Sequence, residues 1–126
     1  MADKIYQVEV EAEPQYIAEQ SNVANDIYVF GYRIRITNTG SEPAQLVSRH
    51  WIITDANQQV QEVRGMGVIG EQPHIEPGQV YEYTSAAHLT TPYGSMKGAY
   101  QMVADDGQRF EASIPEMTLV APRVLH

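Results

Sequence analysis

The chain has 126 residues, a length that fits one domain able to bury about two-thirds of its unfolded surface. It contains no cysteine, which excludes disulfides, thiol catalysis and thiolate metal sites and fits a reducing compartment. Sixteen acidic against eight basic residues give a net charge of −8, so the long-range field opposes phosphate backbones and anionic lipid.

The start, Met1-Ala2-Asp3-Lys4-Ile5, has no basic region followed by an apolar stretch, and no run approaches the roughly 18 apolar residues of a membrane span. A single cytoplasmic domain over 1–126 is expected, with neither membrane nor nucleic acid as partner. Tyr6, Val8 and Val10 then alternate with Gln7, Glu9 and Glu11, the period of a half-buried strand. Glu9, Glu11 and Glu13 fall on one strand face and read as a solvated face that discourages edge pairing rather than as an acid/base pair. Glu13 to Ala24 lacks alternation and holds Pro14 and Asn22 without an apolar stripe at helical spacing, which predicts a loop. The clearest strand is Ile27 to Thr37, where Tyr28, Phe30, Tyr32, Ile34 and Ile36 alternate with positions that turn polar at Arg33.

Turn signals recur at Asn38-Thr39-Gly40, Asp55-Ala56-Asn57, Glu76-Pro77-Gly78, Pro92-Tyr93-Gly94 and Asp105-Asp106-Gly107. The last lies between the apolar runs 100–104 and 110–114 and predicts a hairpin, because Gly107 can take positive φ without steric cost. About seven strands with regular turns and almost no helix predict an all-β antiparallel sandwich of the fibronectin type III or immunoglobulin kind, with a Greek-key barrel as the alternative.

Within this frame, Trp51 is the single tryptophan, and Arg49-His50-Trp51 is either core packing or an interface anchor. The string Gly65-Met66-Gly67-Val68-Ile69-Gly70 matches a dinucleotide-loop pattern, but Pro73 and Pro77 forbid the helix that pattern needs, and Glu71 stands where a phosphate loop needs Lys. Gly65, Gly67 and Gly70 therefore read as bend or bulge residues, with nucleotide binding the lesser reading. His50, His74 and His88 lie far apart and His126 is terminal, so local spacing gives no metal signal and no cofactor is expected. Ser48, His50 and Asp55, or Ser85, His88 and Asp105, carry no positioning motif for hydrolysis, so no catalytic residue is assigned. The segment from Thr90 to Gly98 reads as a loop presenting Tyr93 and Met96 either to a partner or over the end of the sandwich.

The segments Tyr28-Val29-Phe30-Gly31-Tyr32-Arg33-Ile34, Ser48-Arg49-His50-Trp51, Gly65 through Pro73, Pro77-Gly78 and Met96-Lys97-Gly98-Ala99-Tyr100, in this order and spacing, resemble the ApaG family across nearly the whole chain. The resemblance implies a fibronectin type III-like sandwich, found alone in bacteria and as a module in eukaryotic F-box proteins and a polymerase-delta-interacting protein. Those settings favour a protein-interaction domain. The family's CorD name links it to cobalt and magnesium tolerance, its gene neighbourhood often includes diadenosine tetraphosphate hydrolase, and it offers no established catalytic residues. The resulting expectation is a non-enzymatic, cytoplasmic module that binds a protein partner through Arg49, His50, Trp51, His88, Tyr93 and Met96. The alternative is a small-ligand sensor that takes a divalent cation on histidines and carboxylates, or a nucleotide polyphosphate on the glycine loop.

Overall fold

A computed structural model describes residues 3–122, in which two antiparallel sheets face each other across one apolar core. The first sheet has three strands: β1 (Val8–Tyr16), β2 (Tyr28–Asn38) and β6 (Val80–Leu89), in the order β1-β2-β6. The second is built from β3 (Ala44–Asp55), β4 (Val60–Met66), β7 (Tyr93–Ala104) and β8 (Arg109–Val120), in the order β4-β3-β7-β8, with the two-residue β5 (His74–Ile75) beside the start of β3. This is the expected fibronectin type III-like sandwich: seven long strands and one short one among the described residues. Among those residues no helix is long and apolar enough to cross a membrane.

Alternation along β2 sets the core, since Phe30, Tyr32, Ile34 and Ile36 are buried while Arg33 and Arg35 face out. Register then places Glu13 opposite Arg33 and Glu11 opposite Arg35, and the Glu13–Arg33 pair closes at 2.8 Å. The acidic face of β1 thus meets arginines across the strand pair. The loop predicted from Glu13 is corrected here, because β1 continues to Tyr16, paired with Phe30. Pro14 is tolerated since β1 is an edge strand, where a missing N–H breaks no ladder on the free side. Only beyond Tyr16 does the chain leave the sheet, through short 3-10 turns at Ala18–Gln20 and Val23–Asn25.

Asn38, buried at the end of β2, donates from Nδ2 to the carbonyls of Glu42 (2.9 Å) and Ile75 (2.8 Å) and accepts from Gly40 N at Oδ1, 2.9 Å. These bonds fix the crossing from the first sheet to the second. The hairpin at Asp105-Asp106-Gly107 forms as expected, with Gly107 at φ 90° and Ala104 N donating to Gln108 O at 2.8 Å. The predicted loop from Thr90 to Gly98 shrinks to three residues, Thr90 to Pro92, since β6 runs to Leu89 and β7 starts at Tyr93. Pairing of Ser95 with Thr54 and of Met96 with Ile53 overrides the local turn signal at Pro92-Tyr93-Gly94.

Two irregularities reset the alternation. Between Leu46 and Ser48 the pairing of β3 with β7 shifts by one residue, so Val47 is a bulge. In β8, Pro115 and Glu116 together oppose Lys97, which returns Met117 and Leu119 to the core side after Ile114. A proline in a strand is at home in such a bulge.

The flanks of the sandwich differ. On one, β1 packs against β8, Tyr6 lies 6.1 Å from Phe110 between ring centroids, and Lys4 and Tyr6 both donate to the Asp106 carboxylate, at 2.9 and 2.5 Å. Hydrogen bonds from Tyr6, Lys4 and Gln108 N hold the Asp106 carboxyl well below the usual carboxylate range. On the other flank the edge strands β4 and β6 leave a cleft.

Candidate functional site

The Val47 bulge decides what lines this cleft. Leu46 faces the core, and with plain alternation Ser48 and His50 would follow it inward; the extra residue turns Arg49, Trp51 and Ile53 inward instead. The freed Val47 carbonyl accepts from Gly67 N (2.7 Å) and Gln72 Nε2 (2.9 Å), which anchors the glycine segment over the bulge.

Trp51 is 2 % exposed and sits edge-on to Tyr32 (5.3 Å) and Tyr100 (6.5 Å between centroids). Its indole Nε1 is buried without a hydrogen-bond partner. Beneath it the Tyr83 and Tyr100 hydroxyls hydrogen-bond to each other in the core, and burial pushes both phenols well above their ordinary range. Arg49 donates from Nη1 to the carbonyls of Met66 (3.1 Å) and Gly67 (2.8 Å). A Cβ on Gly65 would stand 2.7 Å from Arg49 Nη2, so glycine at this position is what lets the guanidinium lie across β4.

The rest of the string closes a tight turn. Val68 N donates to Glu71 O at 2.8 Å and Glu71 N to Val68 O at 2.9 Å, with Ile69 and Gly70 at φ 43° and 79°. Both central residues are left-handed, the geometry of a two-residue hairpin turn. A β-branched residue there is strained. The amides of Gly67, Val68 and Glu71 are all bonded within the fold, and the string's carbonyls hold an arginine. The Glu71 carboxylate accepts from the Tyr81 hydroxyl at 2.7 Å; partial burial and this carboxylate raise the Tyr81 phenol to about 12.

The cleft has a volume of about 350 Å³, with Tyr32, Arg49 and Trp51 at its base, Gln61 and Val63 on the β4 side and Ser85 to His88 on the β6 side. It continues past Arg49 into a second hollow of about 290 Å³ under Met66, Ile69 and Gly70. Met66 and Ile69, 67 % and 57 % exposed, form an apolar lip at that end. A larger depression of about 630 Å³ lies on the outer face of the first sheet around Gly31, but the charges beside it, Glu13 and Arg33, are paired with each other.

Of the residues singled out from sequence, Arg49, Trp51, His88 and Met96 line the cleft and Gly70 its continuation. Met96 is 1 % exposed and packs below the base, which corrects its placement on an exposed loop. His50 is on the opposite face of β3, with Nε2 3.6 Å from Glu62, because residues 49 and 50 point to opposite sides of the sheet. Tyr93 is 55 % exposed at the start of β7 and does not reach the cleft. His74 lies elsewhere, 2.7 Å from Asp105 and 3.7 Å from Glu76. The three histidines therefore do not converge, no group of three potential metal ligands occurs among the described residues, and His126 lies outside them. Sequence reasoning missed Tyr32, Tyr83, Ser85, Met66 and Ile69 as cleft residues, since the facing of two strands across a sandwich leaves no local signal.

The chain matches the ApaG domain (DUF525) over residues 18–104. It is 86% identical over 126 residues to Protein ApaG of Chromobacterium violaceum, covering 100% of both chains. It is 60% identical over 121 residues to Protein ApaG of Dechloromonas aromatica, covering 96% of this chain and 95% of that one. A crystal structure described as an ApaA protein from Bordetella pertussis superposes with a TM-score of 0.91 at 52% identity, covering 96% of this chain and 98% of the other.

Proposed function

Given that the chain belongs to the ApaG domain family, we propose that it is a non-enzymatic, cytoplasmic protein-interaction module that docks its partner at the open flank between β4 and β6. The observation that carries this reading is the lip: two large apolar side chains, Met66 and Ile69, stand exposed beside a cleft, and one of them is held in a strained left-handed conformation. Contiguous apolar exposure marks interaction surfaces, and local backbone strain concentrates at such sites. A polyphosphate ligand on the glycine string has less support, because three of the amides it would use are already bonded. A cation on converging histidines has less still.

The test compares the immobilised wild-type chain with a Met66→Ser/Ile69→Gly variant, checked for an unchanged far-ultraviolet spectrum, as bait in lysate of the source organism. A protein retained by the wild type and lost by the variant supports docking at the lip. Identical retention by both proteins overturns it. Met96 is unsuitable for this purpose: Met96→Ala empties a core position and should cost about 2–5 kcal/mol, measurable by urea unfolding.

A further inference from the structure

We infer that the occupant of the cleft is an extended, acidic segment of the partner, which adds as a fourth strand to the three-stranded sheet at β6 and sets a carboxylate on Arg49. This deepens the docking reading and rests on it. The strand edge is the first reason. β6 is ten residues long, pairs only with β2, and among the described residues no other backbone or side chain hydrogen-bonds its free edge. Proteins ordinarily blunt such an edge with lysine, proline, a bulge or a covering segment. The opposite edge of the same sheet follows that practice, since β1 carries Glu9, Glu11, Glu13 and Pro14. Val80–Leu89 has no lysine, no proline and no register shift; its one carboxylate, Glu82, lies 3.7 Å from Arg35, and beside the cleft the strand places the short side chains Ser85, Ala86 and Ala87 before His88. An extended chain can therefore approach its backbone closely, as in recognition by strand addition.

Charge gives the second reason. In a chain of net charge −8, Lys4, Arg33, Arg35 and Arg64 each lie within 4 Å of a carboxylate, whereas Arg49, Lys97 and Arg109 have none within that distance among the described residues; of these three only Arg49 is half-buried and lines the cleft. Its only acceptors are two carbonyls, both taken by Nη1, so Nε and Nη2 keep donors for a ligand. Trp51, whose buried Nε1 has no partner, lines the same cleft. An occupant suited to this site brings acceptors: backbone carbonyls throughout and one carboxylate, which a guanidinium binds with geometric specificity. Tyr32 and Ser85, both hydroxyl-bearing, line the same hollow as Arg49.

The experiment selects from a displayed library of random peptides about ten residues long, the span of a strand with its ends, against the intact chain. The best binder is then resynthesised with its acidic residue changed to the neutral amide and, separately, with single backbone nitrogens methylated. The expected result is about tenfold or greater weakening on loss of the acid, and loss of binding on methylation at alternate positions only. Hydrogen exchange should show new protection confined to alternate amides of β6. Because these changes are made on the peptide, they leave the protein's folding untouched. The inference is overturned if no peptide is enriched, if the enriched peptides need no acid, if methylation is tolerated at every position, or if inorganic pyrophosphate alone perturbs Arg49 and the β6 amides. If the Met66→Ser/Ile69→Gly bait loses a partner while any of these outcomes holds, docking at the lip stands and strand addition falls.

Discussion

Where β1 meets β8, side chains long enough to span the gap join the two sheets: Tyr6 against Phe110, and Lys4 and Tyr6 onto Asp106. Where β4 and β6 face each other, Gln61 and Val63 line the gap on one side and Ser85 to His88 on the other, and among the described residues no hydrogen bond or ion pair joins the two strands. One flank is closed by side chains far apart in sequence, and the other has no such link between its two edge strands. The difference teaches that a sandwich exposes its interior by what it leaves out of two edge strands, with the core behind them intact. Trp51 and Tyr100 are almost wholly buried although they stand behind the open side.

The largest effect that probes this contrast is in the base of the cleft. Trp51→Ala should lower the unfolding free energy by about 3–5 kcal/mol, read from the urea midpoint. Trp51→Phe, which deletes an N–H that has no partner, should lose less than about half of that, since removing an unsatisfied buried donor offsets part of the lost packing. Equal losses would show that the indole N–H is satisfied in solution and that the cleft base is no different from the core.

Alkaline titration sharpens the same point. Tyr83 and Tyr100 are acids whose folded ionisation is raised by burial, so they contribute stability that is fully present below the ordinary phenol value of about 10 and is lost as pH rises above it. Phenolate absorbance from Tyr83 and Tyr100 should appear only above the ordinary phenol range, in a step that coincides with unfolding. A single transition that includes all eight tyrosines would mean the open flank lets water reach the pair.

Smaller effects are expected at the rims. Ile69→Gly relieves a left-handed residue at the cost of some chain entropy and should stabilise the domain by up to about 1 kcal/mol, seen as a raised urea midpoint. At the closed flank the Asp106 carboxyl is held low, so its contribution is present above the ordinary carboxylate range and is lost as pH falls through and below that range. Asp106→Asn should flatten the acid side of a melting-temperature profile slightly, because the group is exposed. An unchanged profile would show that the closed flank is held by the Tyr6–Phe110 contact alone.

The architecture was legible because most strands here are half-buried, and period two with turn residues between runs is a local signal; β2, β8 and the hairpin at Gly107 could be placed from it. The end of β1 and the start of β7 were not, since pairing with β2 and β3 outweighed Pro14 and the Pro92-Tyr93-Gly94 turn signal. Arg49 and Trp51 stood out by residue type, but their facing could not be read, because the Val47 bulge inverts the alternation and nothing in Leu46-Val47-Ser48 announces it. His50 and Met96 were placed on the partner surface for the same reason: a residue's face is a property of the register. The glycine string looked like a phosphate loop because both need positive φ and close approach; what each approaches, an anion or Arg49, is settled only in three dimensions.

The bare edge of β6 also bears on how the molecule behaves in a crowded solution. An edge without lysine or proline invites a second copy as readily as a partner, and no local feature of Val80–Leu89 discriminates between them. The discrimination is colloidal instead: every copy carries the same −8, so like molecules repel at neutral pH while a partner with a different charge distribution does not. Such a guard depends on the medium. It weakens as salt shortens the screening length and as carboxylates take up protons, which places the storage limits of this protein on the acid side and at high ionic strength.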